Sequence, residues 1–258
     1  AMPMLSVTPI PAFGDNYIWL LRQDTNSEIC VVDPGDAAPV IELIEREGLT
    51  LSTVLITHHH QDHTGGLPEL IERYAPRVIG PNNPKIAGID ERVGQGDEFR
   101  ALGRLFEVHE VPGHTLDHIA FFTAGIPPLL FCGDALFSAG CGRLFEGTPE
   151  QMHASLGKLA ALPDDTLVFA AHEYTLANLR FALAADPHNP DVAKAMEECQ
   201  RARELDRPTL PSPLAREKRI NPFLRCRDAG VRQAASAHGD TDSESATFAT
   251  LRSWKDNF

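Results

Sequence analysis

The chain has 258 residues, 43% hydrophobic and 23% charged, which are the proportions of a globular protein with a buried core and not of a disordered one. Its formal net charge of -13 sets up a field that repels polyanions, and its basic residues form no stripe, so nucleic acid is not an expected partner. No apolar run is long enough to span a membrane, no basic-then-apolar leader opens the chain, and the five cysteines are scattered without a CxxC, so the expected setting is the reducing cytoplasm. Ala1 ahead of Met2 reads as an added residue.

In chain order, residues 29–32 predict a strand, ended by Asp33-Pro34-Gly35. Residues 38–47 predict an amphipathic helix closed by Gly48. A strand over 53–56 and a helix over 67–74 follow, then strands over 77–80, 105–111, 119–123, 129–132 and 166–171. After His172 the texture changes. Residues 174–185 and 190–205 predict helices, RPTLPSPLAREKRINPFL at 207–224 predicts an extended connection, and 243–254 predicts a last helix. The pattern implies an α/β domain over 1–172 and a smaller, mostly helical domain over 173–258. The stretch HGDTDSES reads as a solvated acidic loop.

The stretch THHHQDHTGG at 57–66 directly follows an apolar run. Within it His58, His60, Asp62 and His63 form HxHxDH. In extended chain, residues two apart point the same way, so His58 and His60 can reach one point while Asp62 and His63, past a bend, reach a second. Imidazole and carboxylate ligands suit divalent ions, and the lack of cysteine disfavours a structural thiolate zinc site. Three further donors stand where strands leave the sheet: His114 after FEVHEVPG, Asp134 after LLFCG and His172 after LVFAA. Seven donors can serve two metals if one carboxylate is shared. His59 is expected to point away by strand alternation, and Gly65 and Gly66 to let the backbone turn tightly. His109, His118, His153, His188 and His238 read as ordinary core or surface residues. Asp33 reads equally as a turn residue or as a partner that fixes a ligand histidine.

THHHQDHTGG, VDPGD at 32–36, VPGHT at 111–115 and CGDALF at 132–137 resemble the metallo-β-lactamase fold superfamily. That resemblance implies an αββα sandwich with a two-metal site at one edge of the sheets. DNYIW at 15–19, GCGRLFEGT at 140–148, AHEYTLANLRFA at 171–182 and LRSWKDNF at 251–258 are similar to the glyoxalase II (hydroxyacylglutathione hydrolase) family, and this match covers nearly the whole chain. It implies that His58, His60 and His114 hold one metal, that Asp62, His63 and His172 hold the other, and that Asp134 bridges. The implied metals are two divalent ions per chain, zinc first, with iron or manganese also suited to these ligands. The implied substrate is S-D-lactoylglutathione, hydrolysed to D-lactate and glutathione, by a chain expected to be monomeric.

Water between two divalent ions loses its proton near neutral pH and can attack the thioester carbonyl, with Asp62 able to orient it. The departing thiolate is a weak base, so no strong general acid is required. Glutathione brings carboxylates, which Arg143 and the helically spaced pair Arg252 and Lys255 are expected to receive. Tyr174 and Asn178, four apart, are expected to face the site together. Three positions depart from the family pattern. Asp117 stands for a common Gly, Phe145 for a glutathione-contacting Tyr, and Arg143 for Lys. The alternatives are a mononuclear-iron persulfide dioxygenase, a ribonuclease of the same fold, which the acidic charge disfavours, and an inactive binding module, which would be expected to have lost a ligand.

Overall fold

The computed structural model describes residues 3–24 and 26–258; Ala1, with its reading as an added residue, Met2 and Thr25 lie outside the described residues. The chain divides into two compact units. The first takes in the chain up to Glu110 together with Asp117–Gly133; the second is Val111–Leu116 with Asp134–Phe258. No helix among the described residues is long and apolar enough to cross a membrane.

In the first unit, β1 (Leu5–Ala12), β2 (Asn16–Gln23) and β3 (Glu28–Val32) pair antiparallel, and β4 (Thr50–Leu55), β5 (Arg77–Pro81) and β6 (Glu91–Val93) continue the same six-stranded sheet in parallel. Parallel neighbours need crossovers. Between β3 and β4 the crossover is α1 (Ala37–Glu47), between β4 and β5 the pair α2 (Gln61–Thr64) and α3 (Leu67–Tyr74), and between β5 and β6 a helix-free connection over 82–90. Asp36 caps α1 by accepting from the amide of Ala38, and Gly48 closes it at φ 65°, a left-handed geometry that costs glycine little. The apolar faces of α1 and α3 pack Val40, Ile44, Leu67 and Leu70 against Ile29, Val31 and Val54, so this core lies directly beneath the ends of β3 and β4. An antiparallel meander of β7 (Glu98–Ala101), β8 (Arg104–Glu110), β9 (Ile119–Thr123) and β10 (Leu129–Gly133) completes the unit.

The second unit opens with the two-residue strands β11 (Leu136–Phe137) and β12 (Gly140–Cys141), then α4 (Pro149–Ala160) and β13 (Leu167–Ala170). Helices dominate thereafter: α5 (Thr175–Ala185), α6 (Pro190–Glu204), α7 (Leu214–Ile220), α8 (Ala229–Ser236) and α9 (Glu244–Asp256), with β14 (Ser212–Pro213) pairing to β13. Leu179 and Ala182 of α5 pack on Val192, Ala195 and Met196 of α6, with Ala139 and Ile220 in the same cluster.

Several elements carry weak sequence signals. Strand β1 contains Pro9 and Pro11, which fit because it is an edge strand. Strands β6 and β7 are three and four residues long and partly exposed. Helix α4 announces itself only through its capping box, Thr148 with Gln151, and Pro149 in its first turn. The expectation of extended chain over 207–224 is corrected: α7 and a 3-10 turn (Pro222–Leu224) occupy its second half. Pro213 precedes the helix and Pro222 follows it, so the prolines bracket α7 without interrupting it.

Candidate metal centre

In the first unit the donors follow β4. His58 and His63 are fully buried, while His60 and Asp62 are half-buried. The His58 ring lies 4.9 Å from that of His60 and 4.2 Å from that of His63. His63 Nε2 is 3.1 Å from Asp62 Oδ2. The buried Asp33, in the left-handed region at φ 54°, fixes two of these rings. Its Oδ2 is 2.8 Å from His63 Nδ1 and accepts from Thr57 Oγ1 at 2.6 Å, while its Oδ1 accepts from the Thr57 amide at 2.8 Å. Since the Thr57 hydroxyl gives its single proton to Asp33, it accepts from His58 Nδ1, 2.9 Å away, and the His58 lone pair is thereby on Nε2. Asp33 is therefore the partner of His63, a candidate ligand, as well as a turn residue.

Two supports were not legible as such. Asn16, at the start of β2, donates Nδ2 to Asp62 Oδ2 at 3.0 Å. His118, read from sequence as ordinary, is fully buried and stacks on His58 at 4.4 Å and 16°. Asn16 sits in the DNYIW segment, so a signal existed; His118 offers none in its local sequence.

Two expectations about the loop are corrected. Strand β4 ends at Leu55, so strand alternation has no strand to act on, and the His59 ring packs edge-on against His60 at 4.9 Å. Gly65 and Gly66 have ordinary right-handed helical angles. What they lack is a Cβ, which would lie 2.7 Å from the Gly35 carbonyl oxygen at position 65 and 2.5 Å from that of Pro34 at position 66. A Cβ on Gly35 would lie 1.8 Å from the carbonyl oxygen of Asp62. The DPG turn and the histidine loop thus touch backbone to backbone.

In the second unit, Asp134 presents one carboxylate oxygen to each of two histidines. Its Oδ2 is 3.2 Å from His114 Nε2, and its Oδ1 is 3.2 Å from His172 Nε2. All three residues are buried. His114 Nδ1 is 2.8 Å from the Arg143 carbonyl, which can only accept, so the His114 lone pair is also on Nε2. The Tyr174 ring stacks on His172 at 4.6 Å and 2°, and Phe137 lies edge-on to both. Phe145 stands edge-on to His114 at 5.2 Å.

The expected substrate contacts divide. Arg143 is exposed and Tyr174 partly so. Lys255 is half-buried, and burial, then the neighbouring positive charges of Arg252 and Arg143, push its pKa down, which marks a local gathering of cations in an acidic chain. Arg252 is only 4% exposed; it donates to the Cys141 carbonyl at 2.7 Å and pairs with Asp256 at 2.8 Å. The expectation that Asn178 faces the site beside Tyr174 is corrected, because its buried amide donates to the Ser138 carbonyl at 3.1 Å. In the first unit, Asp117 accepts from Asn83 Nδ2 at 3.0 Å.

Each unit therefore presents two donor sets: His58 with His60 and Asp62 with His63 in the first, His114 with Asp134 and Asp134 with His172 in the second, each set with donor atoms within 4.8 Å. Ligand bonds of ~2.0–2.2 Å place two donors of one tetrahedral ion roughly 3.4 Å apart. The nitrogen–oxygen separations of 3.1 and 3.2 Å fit that spacing. Imidazole and carboxylate chemistry, burial and spacing all suit divalent cations, and these His/Asp clusters fit a binuclear centre.

Comparison with known proteins agrees with this chemistry. Residues 12–172 match the family described as the metallo-beta-lactamase superfamily, and residues 173–258 match the hydroxyacylglutathione hydrolase C-terminus. A hydroxyacylglutathione hydrolase of Chromohalobacter salexigens is 66% identical over 99% of this chain and 100% of its own length. One from Pseudomonas savastanoi pv. phaseolicola is 53% identical over the same shares. The crystal structure of ETHE1 from Myxococcus xanthus superposes with a TM-score of 0.58 at 30% identity, covering 91% of this chain and all of that one. A metallo-beta-lactamase α/β fold followed by a helical C-terminal region, with both halves of the family pattern in one chain, leads to one conclusion: the chain belongs to the hydroxyacylglutathione hydrolase family of the metallo-beta-lactamase superfamily.

Proposed function

We propose that the chain hydrolyses S-D-lactoylglutathione to D-lactate and glutathione as a cytoplasmic, monomeric enzyme, with residues 1–172 as its catalytic domain and 173–258 as the domain that binds glutathione. The observation that carries this reading is the C-terminal match over residues 173–258, joined to a complete set of seven metal donors. His58, His60 and His114 are assigned to one ion, Asp62, His63 and His172 to the second, and Asp134 to both. Two divalent cations, zinc first, supply Lewis acidity and ionise a water near neutral pH when bound.

The chain's own residues do the rest. Asp134 is preset for two partners by having one oxygen toward each histidine. Asp62, steadied by Asn16, orients the attacking water. Attack forms the new C–O bond, the C–S bond breaks, and the sulfur leaves as a thiolate whose conjugate acid has a pKa of about 8.5, so no strong acid is needed. Arg143 and Lys255 receive the glutathione carboxylates. Tyr174, braced on His172, lines the approach. Arg252 and Asn178 hold the loop behind them. No thiol nucleophile is needed: Cys141 is buried, which raises its thiol pKa, and its sulfur accepts from Arg252.

The test is metal analysis with hydrolysis followed at the thioester absorbance. Two ions per chain and turnover of S-D-lactoylglutathione are expected. A single iron with oxygen consumption, and no thioester turnover, would replace this reading with the dioxygenase one. The double variant Arg143→Ala with Lys255→Ala should raise KM about tenfold or more and lose the salt dependence of KM, since each charge-assisted hydrogen bond contributes ~1.5–3 kcal/mol.

A further inference from the structure

Glu217, on α7, has no exposed surface, and among the described residues its carboxylate accepts hydrogen bonds from neutral donors only. Oε1 accepts from the Ala139 amide at 2.7 Å and from Asn221 Nδ2 at 3.3 Å; Oε2 accepts from Ser138 Oγ at 2.8 Å and from Ser212 Oγ. A buried carboxylate needs its hydrogen bonds made, and two of these four, from Ala139 and Ser138, come from the β11–β12 turn, the others from Ser212 on β14 and from Asn221 just after α7. Asn221 adds bonds to the carbonyls of Phe137 at 3.1 Å and Gly140 at 3.0 Å, and Asn178 adds one to that of Ser138. The turn resists relaxation otherwise: Ala139 is a non-glycine residue at φ 60°, with its side chain buried among α5, α6 and α7.

This turn connects the two working parts of the second unit. Upstream, the same strand pair begins just after Asp134, and Phe137 carries its ring against His172 and Tyr174. Downstream, Gly142 donates its amide to the Ala135 carbonyl, and a Cβ there would lie 2.0 Å from the Asp134 carbonyl oxygen. The next residue is Arg143, whose carbonyl orients His114. We propose that Glu217 is a positioning residue: by clamping the β11–β12 turn it sets Asp134 in register with His114 and His172 and at the same time sets the stance of Arg143. The Arg143 half rests on the glutathione reading above; the Asp134 half does not.

Zinc-loaded wild type, Glu217→Ala, Glu217→Gln and Ser138→Ala are compared well below their own melting temperatures. The readouts are the rate at which a chelator strips zinc, the dissociation constant for glutathione, and KM against kcat for S-D-lactoylglutathione. Glu217→Ala should lose zinc and weaken glutathione by about tenfold or more each, as removal of a ligand's support does. Glu217→Gln should stay within about threefold of wild type, because its amide oxygen can face the Ala139 and Asn221 donors while its NH2 faces two serine hydroxyls able to rotate and accept. Ser138→Ala, which removes one anchor and leaves Ser212 on Oε2, should shift the same quantities by about threefold. Folded Glu217→Ala with a lower Tm but wild-type zinc release and glutathione binding would overturn the proposal; if that variant does not fold, unchanged values in Ser138→Ala overturn it. A wild type that turned over no thioester would sink the substrate reading while zinc release still decided the role of Glu217 toward Asp134.

Discussion

The two units present their candidate metal donors by opposite means. In the first, His58, His60, Asp62 and His63 come from one short stretch, the loop after β4 and the helix α2 that follows it, and outlying residues such as Asp33 and Asn16 reach in to steady them. In the second, His114, Asp134 and His172 come from three separate loops, and a single carboxylate brings the histidines into register. A contiguous cluster has its spacing written into the chain, so its supports refine ring angle and tautomer. A dispersed cluster has no such spacing, so its central member carries the geometry.

The largest expected effect follows from that asymmetry. Asp134→Ala should abolish thioester hydrolysis and loosen both ions, whereas His59→Ala, removing a histidine outside the proposed ligand set, should do little; comparable losses in the two variants would refute the ligand assignment. Next in size, Asp33→Ala should lower metal affinity by roughly 10–100-fold, with His63 and Thr57 left without their acceptor. Competition with a chelator measures it, and an affinity within a factor of two of wild type would mean that the loop needs no outside support.

A pH experiment compares the units through their thiols. Burial raises the pKa of Cys30 in the first unit, and pushes that of Cys226 in the second up to about 12. An unfolded thiol ionises near ~8.5, so the unfolded chain releases protons that the folded chain keeps. Their contribution to stability is complete below that value and is lost as pH rises toward the raised folded pKa. Tm should fall above about pH 8.5. Cys226→Ala should make that fall shallower, and an identical slope would show that another group governs it. The smallest effect belongs to Asp117→Gly, expected to leave activity within a few fold, since the carboxylate accepts from Asn83. A large change in metal content would instead make Asp117 part of the site.

The same asymmetry explains what was legible in the sequence. HxHxDH stood out as a cluster because its residues are adjacent, and His114, Asp134 and His172 stood out because each follows an apolar strand; the structure gathers both groups into His/Asp clusters. The supports were harder. Asp33 stood out only as a turn residue with a possible second role, and His118 gave no sign at all, because ring stacking between residues sixty positions apart leaves no local pattern. Glu217 was hidden inside a proline-rich stretch that read as extended chain, although its short helix fits between Pro213 and Pro222. Arg252 was legible as a cation but not as a buried one, since helical spacing says which residues share a face and not which face is covered.

The contact between Gly35 and the Asp62 carbonyl has a consequence for how this scaffold can change. At Gly35, Gly65 and Gly66 the histidine stretch meets its neighbours main chain against main chain, while the side chains of Asp33 and Asn16 brace it through Thr57, Asp62 and His63. Its backbone path is therefore set in part at the three glycines, whereas Asp62 and His63 are also tied through their own side chains. A side chain at any of these three positions would have to push two main-chain segments apart, so the glycines limit what this joint can accept.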